Sequence, residues 1–341
     1  MNYALKISKC LIILSLTAFM ISCSGKSDQQ TLNSDDKIAL LDAKIRKNPK
    51  DSELYFARSK AFFEQKKIKE ALLDAKKAIN LNNKDVDYYI LEADILFASG
   101  ETTLAFDALQ NALKVDSKSK DAYLKTAELS LYLRDYDKVN VNVNKVLALD
   151  KLNAKAYFLK GWTLKEQGDT VRAVEAYKKA VELKSDYDEA FEELGLLYAI
   201  KGDGLAVEYL NSTISLNPQN TEAMYALAEI FRKNGNYQKA LDTYKQVLDI
   251  KPDDVKTLNS VGYVNMEEKK AYDVALECFN KAIATDSNYA LAWLNRGDTY
   301  ERMGQIKKAK DDYLKVIELS QTLKLPDGVE SFAKSHLEKL K

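Results

Sequence analysis

The chain is short of the two residues that make turns. Its 341 positions hold 12 glycines and 4 prolines, where average usage supplies roughly 24 and 17. Sandwiches and barrels need turn signals about every 8 to 12 residues, so all-β and loop-rich folds are excluded and helix is expected throughout. An excess of either charge is also lacking: 51 Lys and Arg balance 51 Asp and Glu, which leaves no overall basic field to attract nucleic acid. Histidine occurs once, as His336, which excludes histidine-pair metal motifs and a Ser/His/Asp set built on a second histidine. Apolar runs are short as well. The longest of note, Leu11 to Ile21, is interrupted by Ser15 and Thr17 and is too short to span a bilayer. What is present is a chain 46% hydrophobic with 20 Tyr and 11 Phe, too apolar and aromatic for wholesale disorder.

Lys6 and Lys9 precede that apolar run, and Ser22-Cys23-Ser24-Gly25 follows it. A positive start, a short apolar stretch and a small residue before a cut describe a secretory signal peptide. Met20-Ile21-Ser22-Cys23 resembles the lipobox of bacterial lipoproteins, in which the cysteine becomes the lipidated first residue. The resemblance implies removal of residues 1–22, acylation of Cys23 with palmitate-type chains, and a flexible tether over residues 23–34. Ser24 is not the Asp that retains some lipoproteins in the inner membrane, so the outer membrane is expected, facing the periplasm or the cell surface. Cys10 is then lost with the signal and Cys23 is blocked, which leaves Cys278 alone and forbids an intramolecular disulfide.

Beyond residue 50 one pattern repeats. A small residue recurs at Ser59, Ala93, Ala127, Gly161, Gly195, Ala228, Gly262 and Gly297, in steps of 34, 34, 34, 34, 33, 34 and 35. A parallel series runs Ala71, Ala105, Val139, Ala173, Ala206, Ala240, Ala275 and Ala309. Gly202-Asp203-Gly204 marks a one-residue deletion, and Lys269-Lys270-Ala271 marks the insertion that cancels it. Four residues before each member of the first series stands a large side chain: Tyr55, Tyr89, Tyr123, Tyr157, Phe191, Met224, Leu258 or Trp293. Within the second half of the unit stand Leu109, Tyr177, Leu210, Tyr244, Phe279 and Tyr313. Small residues let two helices approach and large ones fill the space left, so the unit reads as two helices with knobs and holes.

Trp293-Leu294-Asn295-Arg296-Gly297 with Tyr300, Gly304, Ala309 and Tyr313 resembles the tetratricopeptide repeat, as does Tyr157 through Gly161, Gly168, Ala173, Tyr177 and Ala180. The resemblance covers residues 52–323 as eight repeats: 52–85, 86–119, 120–153, 154–187, 188–220, 221–254, 255–289 and 290–323. It implies an all-α, right-handed superhelical solenoid of stacked antiparallel helix pairs. The third repeat fits least well, with Ser130, Val139 and Val143 at its aromatic or alanine positions. Amphipathic helices over 35–49 and 324–341 are expected to cap the two ends.

No residues remain over for catalysis or a cofactor. Cys278 lies among Ala275 and Phe279 in a helix and reads as a structural thiol. Glu192-Glu193 and Asp311-Asp312, adjacent in sequence, read as solvated charges, and His336 reads as a surface or capping residue.

Arrays resembling this one bind a partner along the first helices of the repeats. At the positions that line the groove in such arrays stand Phe56, Phe63, Ile90, Asp94, Phe97, Leu124, Glu128, Leu131, Phe158, Trp162, Glu192, Tyr225, Glu229 and Tyr263. They predict an apolar strip with acidic flanks, suited to an apolar helix or extended segment bearing basic residues. The expected function is a membrane-anchored scaffold or adaptor of the bacterial envelope, serving assembly or secretion complexes. A homo-oligomeric structural element is the alternative, and an enzyme is disfavoured.

Overall fold

The computed structural model describes residues 34–340, and over them the chain is all-helical, with eighteen helices and no strand. The helices are α1 (Ser34–Lys47), α2 (Ser52–Glu64), α3 (Ile68–Leu81), α4 (Val86–Ala98), α5 (Thr102–Val115), α6 (Lys120–Tyr132), α7 (Tyr136–Leu149), α8 (Ala154–Glu166) and α9 (Thr170–Leu183). They continue as α10 (Asp188–Lys201), α11 (Leu205–Leu216), α12 (Thr221–Lys233), α13 (Tyr237–Ile250), α14 (Val255–Glu267), α15 (Tyr272–Thr285), α16 (Ala290–Arg302), α17 (Ile306–Thr322) and α18 (Val329–Lys339). Two compact units divide after Asn82. The expected signal, the lipidated Cys23 and nearly all of the tether lie outside the described residues.

Local chemistry sets the boundaries. Asp51, Asp85, Ser119, Asn153, Asn220 and Asp254 each stand just before a first helix and accept from a backbone N–H inside it. Such caps contribute about 1 kcal/mol apiece. First helices end where the chain turns left-handed, at Gly100, Gly168, Gly202, Gly235 and Gly304. At the same point in the other three repeats Lys66, Arg134 and Lys270 accept a positive φ. The deletion shortens α11 to 12 residues, and the insertion falls in the loop before α15.

The holes are real. A Cβ added at Gly161, Gly195, Gly262 or Gly297 would meet Tyr177, Leu210, Phe279 or Tyr313 at 2.8, 2.7, 2.6 and 2.9 Å. In the first repeat Ser59 fills the same role and donates to the carbonyl of Ala71 at 2.8 Å. The third repeat substitutes aliphatic bulk, with Val139, Val143 and Val146 buried beside Leu124, Ala127 and Leu131. The large residues four before the holes do something that spacing does not show. The hydroxyls of Tyr55, Tyr89 and Tyr123 and the indole N–H of Trp293 donate to carbonyls six residues back, at Pro49, Asn83, Ser117 and Ser287.

In residues 34–82, α2 packs on both α1 and α3. Arg58 bridges Asp74 of α3 and Asp42 of α1, each at 2.6 Å. In residues 83–340, Arg296 makes the matching contacts to Asp312 of α17 and Asn280 of α15. The match gives α1 the place of a second helix, the remaining half of a degenerate repeat. Asp312 is 4% exposed and paired, so Asp311-Asp312 is not a pair of solvated charges: burial against Arg296 removes its second member from water.

In the larger unit, first helices also touch across one repeat: α4 meets α6, α6 meets α8, α10 meets α12, and α14 meets α16. Second helices make no comparably extended contact among the described residues. α18 touches α16 as well as α17, and so takes the place of a ninth first helix. The first helices therefore form one face of this unit, with equivalent positions aligned one repeat apart.

Candidate partner-binding face

The expected apolar strip is largely spent on packing. Phe56, in the smaller unit, is 9% exposed, with the Lys60 ammonium 4.0 Å from its ring centroid; Phe63 is half-buried. Leu124 and Leu131 are buried against Val139, Val143, Phe158 and Trp162. Phe158 is wedged among the rings of Trp162, Tyr177 and Tyr187 at 5.9, 5.6 and 5.0 Å. Ile90, Phe97 and Trp162 remain half-buried. Phe97 meets the ring of Tyr132 edge-on at 5.2 Å, and Tyr132 itself is 61% exposed.

Nor do all the acids stand as free flanks. Lys125 bridges Asp94 at 2.9 Å and Glu128 at 3.0 Å, and Lys155 pairs with Glu128 from the next repeat. Burial alone would lower the Lys125 pKa, yet Glu128 and Asp94 raise it to about 12. Burial also pushes Glu128 up, and the two lysines outweigh it, so its pKa is lowered. At Asp94 burial prevails over Lys125 and the pKa is raised. Glu229 accepts from Arg232, Tyr244 and Ser260, while the Tyr225 hydroxyl meets Ser260 at 3.2 Å. Tyr263 lies under the Arg232 guanidinium at 5.7 Å.

Glu192-Glu193 is likewise not solvated. Lys165 grips both oxygens of Glu193 at 2.6 Å, and Asn220 donates to Glu192 at 2.8 Å. Burial, then the charges of Glu193, Glu222 and Asp188, raise the Glu192 pKa. The residues missed from sequence are the partners: Lys125, Lys155, Lys165, Asn220 and Ser260. Their signal is a separation of nearly one repeat, 28 residues for Lys165 to Glu193 and 31 for Glu229 to Ser260.

Elsewhere, Cys278 is half-buried rather than fully enclosed, and burial pushes its thiol up to about 11, which keeps it protonated near neutral pH. His336 Nδ1 lies 2.8 Å from Glu301, and its ring stacks on Phe332 at 4.0 Å. Among the described residues no group of three or more His, Cys, Asp or Glu is placed to hold a metal ion, and no helix is long and apolar enough to cross a membrane.

Tetratricopeptide repeat models match residues 204–259 and 290–323, and a TPR repeat model matches 161–202 and 268–304. The chain carries tetratricopeptide repeats. The bovine BBSome complex member BBS4 is 29% identical over 188 residues, 55% of this chain and 36% of its own length. Human DnaJ homolog subfamily C member 7 is 26% identical over 303 residues, 80% of this chain and 61% of its own length. This TPR chain therefore spans less than two thirds of each of these relatives. In a crystal structure of the APC/C hetero-tetramer Cut9-Hcn1, the matched chain is 17% identical with a TM-score of 0.56, over 90% of this chain and 59% of that one. That likeness shows the fold: paired helices stacked as in other TPR arrays.

Proposed function

We propose that this TPR protein is a lipid-anchored scaffold of the bacterial outer membrane that docks a protein or peptide partner on its first helices. The observation that carries the reading is the side-by-side contact of first helices within residues 83–340, α4 with α6, α6 with α8, α10 with α12, and α14 with α16. A segment lying across such a pair meets neighbouring first helices side by side, and TPR domains bind peptide or protein partners. Trp162, half-buried, and Tyr132, exposed, offer aromatic anchors there. The lipobox-like Met20-Ile21-Ser22-Cys23 supports the membrane tether.

The test is photo-crosslinking in cells from a benzophenone residue at position 132 or 162 of the full chain. A discrete partner captured from both positions is expected. Crosslinks confined to the chain itself would remove the scaffold reading.

A further inference from the structure

We draw no further inference here: the strongest candidate, the pair of carboxamides that joins α14 to α16 where Asn295 donates to the buried Asn259 at 2.9 Å, belongs to the first-helix face already described, and nothing in the structure shows what covers it.

Discussion

At Gly195 the packing of a whole helix pair turns on one hydrogen atom. A Cβ there would sit 2.7 Å from the Leu210 side chain and 3.2 Å from its backbone nitrogen. The side chain could rotate away, but the backbone could not without moving α11. Gly195→Leu is therefore expected to destabilise by about 1–3 kcal/mol or more. A thermal melt unchanged from wild type would mean that α10 and α11 do not pack at this point. The hole was legible because small residues recur at one repeat spacing, and so were its fillers, Tyr177, Leu210, Phe279 and Tyr313. The state of Asp94 and Glu128 was not legible. Their neutralising lysine, Lys125, is a neighbour of Glu128 on one helix but meets Asp94 only across a repeat boundary, and nothing in a single helix reveals that crossing.

Among the helices, α18 shows how an end is closed. It packs on α16 and α17, buries Val329 and Ala333, and sets His336 against Glu301. Burial works against the Glu301 carboxylate, but hydrogen bonds from Tyr313 and His336 and the charges of His336 and Lys339 outweigh it and lower its pKa. A carboxyl whose folded pKa is depressed stabilises fully above its unfolded value near 4.3, and loses that contribution as pH falls through the folded value. Hydrogen-exchange protection of α18 is thus expected to fall in the wild type as pH drops below about 4.3, and to fall less in Glu301→Gln, which has nothing there to titrate. Equal pH profiles for the two proteins would show that this contact does not hold the cap. The sequence marks a helix here through Val329, Phe332 and Leu337, yet its docking as a ninth first helix depends on a partner residue 35 positions away.

For the molecule as a whole, the question is what ties the array to its surroundings. Two or more acyl chains on one cysteine hold a protein far better than a single chain, and the described helices contain no candidate span. Cys23→Ala is expected to move the protein from the membrane pellet to the soluble envelope fraction. Continued pelleting would show that lipid on Cys23 is not the anchor.

The sequence by itself determined the number of helices, their starts and stops, and the pairs that interlock. Each of those follows from information inside one unit: a cap residue, a left-handed turn, a small residue set against a large one. The tertiary structure decided which charges on the first-helix face are paired. Whether an acid meets a lysine, as Asp94 does, or only an amide, as Glu192 does, depends on the offset between adjacent repeats. That offset is set by how the side chains of many residues interdigitate at once, and no local pattern records it.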